Sequence, residues 1–174
     1  MYAHTVPLGG HTGADTLPHW AGMQVPAVDS FSSTVINKLD AKGRVSIPAP
    51  YRQLLIAQGS EGVHCIANVD QNAIDAFGKA MIAEQEARHA NKDALLDSDY
   101  EALAQMVHGE SHVLMWDEEG RVRLPDPLIE LARIEDRVLF VGLGRKFQMW
   151  NPERFEPVRR ARLERARELR MGRS

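Results

Sequence analysis

The sequence predicts an α+β fold made of two tandem copies of one β-hairpin and helix unit. Residues 39–50 (Leu-Asp-Ala-Lys-Gly-Arg-Val-Ser-Ile-Pro-Ala-Pro) return as residues 116–127 (Trp-Asp-Glu-Glu-Gly-Arg-Val-Arg-Leu-Pro-Asp-Pro) with Asp, Gly, Arg, Val and both prolines at matching places. In both copies apolar and polar residues then alternate, as in a half-buried strand. Each alternating stretch runs within two residues into a proline-marked helix start.

Each turn is placed by an aspartate followed three residues later by a glycine. Asp40 and Asp117 can close their turns through their own carboxylates, and Gly43 and Gly120 can take the positive φ that other residues avoid. These four residues are therefore predicted to form the turns rather than to bind a ligand.

The strand after each turn has an apolar face and a polar face, and the polar face begins with arginine. The apolar residues are Val45, Ile47, Val122 and Leu124, and the polar ones are Arg44, Ser46, Arg121 and Arg123. Pro48 and Pro125 lack the N–H that a strand ladder needs, whereas Pro50 and Pro127 suit the first turn of a helix.

The same patterns predict the remaining elements in order. Further strands are expected at residues 31–36, 63–67, 73–74, 112–116, 137–143 and 146–150. From Asp75 to about His108 we expect two connecting helices, with apolar faces carrying Phe77, Met81 and Ile82 in one and Leu95, Leu103, Met106 and Val107 in the other. Asn151 and Pro152 are predicted to cap and begin a basic helix from about Glu153 to Arg170.

This pattern divides the chain into five segments. We expect a disordered N-terminal extension (1–30), a first unit (31–78), a helical connector (79–110), a second unit (111–156) and a basic C-terminal helix or tail (157–174). The first thirty residues have no sustained apolar period and no basic start with an apolar centre, so they do not resemble a secretory signal. We hypothesise that translation starts downstream, at Met23 or at a GTG codon for Val25 or Val28.

Composition sets broad bounds on the class of protein. The 174 residues are 44% hydrophobic, and no apolar run is long enough to span a membrane. The single cysteine, Cys65, lies in an apolar stretch, which is typical of a buried structural thiol in a reducing cytoplasm.

The formal net charge of −3 hides a division of charge along the chain. Residues 31–58 carry four basic residues and one acid, net +3, whereas residues 116–137 carry four arginines and seven acids, net −3. The first copy is therefore the better candidate for binding a polyanion. Residues 154–173 carry eight arginines and three glutamates, net +5, which suits either a second DNA contact or a solvated helix with i, i+4 ion pairs.

The two motifs Asp40-x-x-x-Arg44 and Asp117-x-x-x-Arg121, with Ile47-Pro48 and Tyr51-Arg52, resemble the MraZ family of bacterial transcriptional regulators from about Phe31 to Glu156. The resemblance implies a fused, AbrB-like swapped-hairpin barrel with pseudo-twofold symmetry and flanking helices. It also implies ring-shaped homo-oligomers that bind short direct repeats upstream of the division and cell-wall gene cluster and usually repress it. The segment 72–77 is less aromatic and apolar than in that family.

The predicted partner is double-stranded promoter DNA, in the cytoplasm at the nucleoid. A two-stranded ribbon fits the major groove, arginine pairs bidentately with guanine, and a lysine at the turn suits a phosphate. The candidate DNA-binding residues are Lys42 and Arg44 first, then Lys38, Arg121 and Arg123. The structural alternative, strongest for Arg121, is that Asp40 with Arg44 and Asp117 with Arg121 are ion pairs that brace the turns.

Two other classes of function remain open. An enzyme has only weak fragments, namely His108 with Glu110 and His112, and His64 beside Cys65; the tail histidines His4, His11 and His19 have no metal-ligand spacing. We therefore expect no catalytic residue, metal, cofactor, small-molecule substrate or membrane partner. The other class is an oligomeric protein-interaction scaffold whose hairpins serve only assembly, which the acidic second copy favours.

Overall fold

The computed structural model describes residues 30–89, 101–102, 104–105 and 109–172. Its elements in chain order are β1 (Thr34–Lys38), β2 (Arg44–Ser46), α1 (Ala49–Ala57), β3 (Gly62–Asn68), β4 (Ala73–Phe77), α2 (Lys79–His89), β5 (His112–Met115), β6 (Arg121–Arg123), α3 (Asp126–Ala132), β7 (Arg137–Gly142), β8 (Phe147–Trp150) and α4 (Pro152–Met171). The predicted α+β class is confirmed. The N-terminal extension and the apolar residues expected in a second connecting helix, Leu95, Leu103, Met106 and Val107, lie outside the described residues.

The described strands form one six-stranded antiparallel sheet, in the order β1-β7-β8-β4-β3-β5, and a separate two-stranded ribbon, β2-β6. Within the sheet, β1 of the first copy pairs with β7 of the second, β5 of the second pairs with β3 of the first, and β4 pairs with β8. If each strand of the first copy (β1–β4) is interchanged with the matching strand of the second copy (β5–β8), the same set of strand pairs results. The copies therefore share one sheet and one ribbon.

The predicted hairpins close at their turns but not along their strands. The Asp40 amide donates to the Arg44 carbonyl (2.9 Å), and Leu39 and Val45 form an isolated bridge. Beyond that bridge β1 pairs with β7, β5 with β3, and β2 with β6, so the predicted pairing between the two strands that flank each Asp–Gly turn was wrong. Alternation identifies a half-buried strand, but it carries no information about the partner.

Two element boundaries also differ from the prediction. The first strand begins at Thr34, and Phe31 forms only an isolated bridge with Gly144. Asp75 and Phe77 lie in β4 rather than in a helix, which begins at Lys79. The strand accommodates Asp75 because its buried carboxylate accepts hydrogen bonds from Lys146 Nζ (2.6 Å) and Gln148 Nε2 (2.7 Å).

The two faces of the sheet pack against different elements. On one face the ribbon, α1 and α3 enclose the main core, whose side chains include Val45, Ile47, Val122, Leu124 and Phe140. On the other face α4 packs Phe155 against Trp150, with 5.2 Å between the ring centroids. Cys65 lies fully buried in the main core, and burial raises the pKa of its thiol, as expected of a structural cysteine.

The C-terminal helix begins as predicted. The Asn151 side chain accepts from the backbone amides of Glu153 (2.9 Å) and Arg154 (3.4 Å), and Pro152 occupies the first helical position. Because the N-cap satisfies amides that have no partner inside the helix, it fixes where α4 leaves β8. In the described part of the chain, no helix is both long and apolar enough to cross a bilayer.

Candidate nucleic-acid interface

The ribbon brings the two repeated motifs together. Arg44 lies opposite Arg123, Val45 opposite Val122, and Ser46 opposite Arg121. The two valines are buried beneath the ribbon, at 1% and 0% exposure. Because side chains alternate along a strand, the arginines project from the opposite face, away from the core. Three arginines from two distant parts of the sequence therefore share one outward surface.

The first turn is held closed by the carboxylate of Asp40. Its Oδ1 accepts from the amides of Lys42 (2.9 Å) and Arg44 (2.8 Å), and its Oδ2 accepts from Arg44 Nε at 2.7 Å. These donors, above all the Arg44 amide, hold the pKa of Asp40 below its ordinary value. Asp40 is therefore ionised at neutral pH and forms the turn, as predicted.

The second turn repeats this geometry. Asp117 Oδ1 accepts from the amides of Glu119 (3.0 Å) and Arg121 (2.9 Å), and Oδ2 lies 2.9 Å from both Nε and Nη2 of Arg121. The hydrogen bond from the Arg121 amide is the largest cause of the lowered pKa of Asp117. The bond to Asp117 in turn raises the pKa of Arg121.

The two motif arginines differ in the nitrogens they leave available. Arg121 also pairs through Nη1 with Glu119 Oε2 at 2.7 Å, so its whole guanidinium faces carboxylates. Arg44 contacts Asp40 through Nε alone, and its terminal nitrogens have no hydrogen-bond or ion-pair partner among the described residues. The predicted bracing ion pairs are thus present in both turns. Of these two arginines, only Arg44 keeps its terminal guanidinium nitrogens for a ligand.

The remaining candidates are divided between the ribbon and the sheet. Lys42 is exposed at the tip of the first turn and Arg123 is exposed on β6, and no described carboxylate lies within ion-pair distance of either. Lys38 is exposed at the end of β1, opposite Arg137 in the six-stranded sheet. Lys38 therefore flanks the ribbon instead of belonging to it.

Each turn is also bonded to the strand of the other copy. The Gly43 carbonyl accepts from the Leu124 amide (2.9 Å), and the Gly120 carbonyl accepts from the Ile47 amide (3.1 Å). Both glycines have φ near +74°, as predicted from the turn pattern. The cross-copy bonds fix the two turns relative to one another.

One basic residue of this region was missed by sequence reasoning. The guanidinium of Arg52, on α1, lies against Gly120 and donates through Nη1 to the Ile47 carbonyl at 3.1 Å. The corresponding position of the second copy is Ile129, which packs against Gly43. The sequence signal that was available is the replacement of a basic residue in one copy by an apolar residue at the matching position of the other.

The fragments considered for metal binding or catalysis lie only partly within the described residues. Among the described residues, no group of three or more His, Cys, Asp or Glu side chains could hold a metal ion. His64 stacks on Phe77, with ring planes 7° apart. His108 and the tail histidines His4, His11 and His19 lie outside the described residues.

Comparison with known proteins gives one consistent result. A family model described as "MraZ protein, putative antitoxin-like" matches residues 106–168. Three proteins named "Transcriptional regulator MraZ" align over most of the chain. They come from Azorhizobium caulinodans (46% identical, 81% of this chain and 87% of that protein), Xanthobacter autotrophicus (43%, 83% and 92%) and Methylocella silvestris (40%, 80% and 82%).

Proposed function

Because the chain belongs to the MraZ family of transcriptional regulators, we propose that it binds promoter DNA sequence-specifically through the β2–β6 ribbon. Its relatives are named as regulators and not as enzymes, and the chain is not an enzyme. The observation that carries the proposal is the cluster of Arg44, Arg121 and Arg123 on the outward face of a two-stranded ribbon. Such a ribbon has the width to enter the major groove.

The residues of the ribbon take different roles in this proposal. Arg44 reads a guanine, because its terminal nitrogens can reach O6 and N7 together while Nε stays on Asp40. Lys42 and Arg123 contact phosphates on either side, and Lys38 adds a more distant phosphate contact. Arg121 is held by Asp117 and Glu119, so its main role is to brace the second turn.

The assembly and the target form the second part of the proposal. Exchange of strand partners between the copies supports a fused swapped-hairpin barrel of the AbrB-like kind. One ribbon spans few base pairs, so useful affinity requires several protomers on one DNA, as in a ring on direct repeats. The proposed site of action is the nucleoid, at the promoter of the division and cell-wall gene cluster, with repression as the outcome.

A protein-interaction scaffold is the second candidate function. It is favoured by exposed apolar side chains on the two edge strands of the sheet: Ile36 of β1 is 50% exposed, and Val113 and Met115 of β5 are 55% and 57% exposed. Edge strands offer unpaired backbone groups to another chain. In that case the ribbon serves assembly alone, and changing Arg44 would dissociate the oligomer.

The proposal is tested by attacking the Asp40–Arg44 pair from both ends. Arg44→Gln removes the reading group, whereas Asp40→Asn removes the ion pair but keeps an oxygen for the amides of Lys42 and Arg44. If Arg44 reads DNA, Arg44→Gln lowers affinity for the upstream duplex by about 10-fold or more, and Asp40→Asn keeps or raises it. Binding is followed by fluorescence anisotropy and assembly by light scattering.

Equal losses of DNA affinity in Arg44→Gln and Asp40→Asn would mean that the Asp40–Arg44 ion pair serves only to hold the turn. A wild-type protein that binds upstream and scrambled duplexes equally would contradict sequence-specific recognition. Loss of assembly in Arg44→Gln would favour the scaffold. Arg133→Gln is the matched control, because Arg133 is exposed and lies outside the ribbon.

A further inference from the structure

The C-terminal helix presents a second basic surface that the ribbon proposal does not use. Four arginines of α4 share one side of the helix and are called here the basic stripe: Arg159, Arg160, Arg167 and Arg170. Arg160 and Arg167 are seven residues apart and Arg159 and Arg170 are eleven apart, spacings that return to nearly the same helical angle, so the four arginines fall within an arc of about 100°. Leu163, 46% exposed, lies within the stripe.

The stripe lies beside the surface that holds the helix on the protein, and most of it is turned toward solvent. Phe155 and Val158 pack on the outer face of the sheet, and Arg162 donates to Gln71 Oε1 (2.7 Å) while its guanidinium lies 5.6 Å from the centre of the Trp150 ring. At about 100° per residue, Phe155, Val158 and Arg162 lie on the side of α4 next to Arg159, and the rest of the stripe is turned further away from the sheet. From Leu163 to Gly172 every residue of the described helix is exposed.

The stripe contains far more positive than negative charge. Arg159 and Arg160 share a single carboxylate, Glu156, at 3.8 and 3.1 Å. Arg167 and Arg170 have no ion-pair partner among the described residues. Glu164 borders the stripe beside Arg160, and Glu168 lies outside it, where it pairs with Arg165 at 2.9 Å.

The basic stripe and the ribbon lie on opposite sides of the six-stranded sheet. The ribbon covers the face of the sheet that carries Phe140 and Met149, whereas α4 covers the face that carries Leu139 and Trp150. A straight duplex in contact with the ribbon of one protomer therefore cannot also lie along its stripe.

We propose that the basic stripe binds the phosphates of a second DNA segment, independently of sequence, so that each protomer has two DNA-binding faces. The inference rests on the proposed function in that it takes DNA as the polyanion. Arginine suits this role because its planar guanidinium pairs bidentately with phosphate. The consequence is bridging or wrapping of DNA, in which the ribbon selects the site and the stripe holds a neighbouring segment.

The test compares two variants that remove the same charge from the same helix. Arg167→Gln/Arg170→Gln removes half the stripe, whereas Arg154→Gln/Arg165→Gln removes two arginines from another side of α4. Affinity for a scrambled 30-bp duplex is measured against salt concentration. Each lost phosphate contact lowers the log–log slope by about 0.9, so the stripe variant should lose about 1.8 per protomer and the control variant almost nothing.

A second readout measures bridging directly. Energy transfer between a donor-labelled upstream duplex and an acceptor-labelled scrambled duplex should appear with the wild type and be lost in the stripe variant. Equal salt slopes in the two variants would overturn the proposal. The proposal would also be overturned if the stripe variant changed the mass of the assembly in solution but not its DNA binding, because the stripe would then contact another copy of the chain. Because the salt slopes are measured on a scrambled duplex, they test the stripe even if the wild type shows no preference for the upstream duplex.

Discussion

Arg44 and Arg123 lie directly opposite one another across the ribbon, and Asp40 forms an ion pair with only the first of them. Like charges at facing positions of an antiparallel pair are destabilising. The arrangement therefore costs stability, and it concentrates positive charge at one end of the ribbon. A surface of this kind is expected where affinity for a polyanion matters more than stability.

Arg123→Gln is expected to separate these two effects. Affinity for the upstream duplex should fall several-fold, because a phosphate contact is lost, and the salt slope should fall by about 0.9. The free energy of unfolding should stay the same or rise by a few tenths of a kcal/mol, because the repulsion from Arg44 is relieved. Urea unfolding and fluorescence anisotropy measure the two quantities. A fall in stability with no change in affinity would contradict the assignment.

The two turn glycines should respond differently to alanine. Both have positive φ, so either substitution should cost about 1–2 kcal/mol of stability. A Cβ on Gly43 would meet Ile129 Cδ1 at 3.5 Å and the Leu124 carbonyl oxygen at 3.6 Å, both ordinary van der Waals contacts. A Cβ on Gly120 would collide with the guanidinium of Arg52, which must move and give up its hydrogen bond to Ile47, at a further cost of about 1 kcal/mol.

A double-mutant cycle isolates that extra cost. In an Arg52→Ala background, Gly120→Ala should cost no more than Gly43→Ala does in the wild type, as measured by urea unfolding. An unchanged cost of Gly120→Ala in that background would show that Arg52 does not restrict the turn.

The sequence predicted the parts of this fold that depend on neighbouring residues. The turns at Asp40 and Asp117 and the cap at Asn151 follow from side chains that bond to amides two to four residues away. The partner of a strand cannot be predicted in this way. The alternating pattern of β2 requires only that Val45 be buried, which many partner strands would allow, and the actual partner is the distant strand β6. The ribbon, and with it the meeting of Arg44 and Arg123, became visible only in the structure.

Residues with distant partners were misread for the same reason. Asp75 was predicted to lie at the start of a helix, because the donors that hold its buried carboxylate are mostly distant in sequence; Asn68 Nδ2, at 3.3 Å, is the near one. Its partners Lys146 and Gln148 lie more than seventy residues away. Arg52 was counted in the positive charge of the first copy and in the repeated motif, but its contact with Gly120 could not be predicted, because that contact joins the two copies.

Acid should weaken the fold through the two turn aspartates. In the folded protein, each aspartate has a pKa below its ordinary value of about 4. Each carboxylate therefore stabilises the folded state at pH values above about 4. This stabilisation is lost as the pH falls through the lowered pKa of the folded protein. Wild-type stability should therefore decline below about pH 4. The Asp40→Asn/Asp117→Asn variant should show a shallower decline, measured by urea unfolding between about pH 2.5 and 7.

The control for this prediction is Glu118→Gln, which removes an exposed acid from the second turn without touching the network of Asp117. Its stability should follow that of the wild type across the same pH range. Parallel curves for all three proteins would show that the turn carboxylates do not contribute to acid sensitivity.

The proposed ring predicts a geometric rule for the operator. Ribbons on successive protomers must meet the same side of the duplex, so direct repeats should be about 10 bp apart, close to one helical turn. Inserting about 5 bp between two repeats places the second on the opposite side, and the later contacts lose the advantage of being intramolecular. Affinity, measured by anisotropy, should fall by about 10-fold or more, whereas an insertion of about 10 bp should restore much of it. Equal affinity for all three spacings would show that each ribbon binds alone, and the ring would then have no role in recognising the operator.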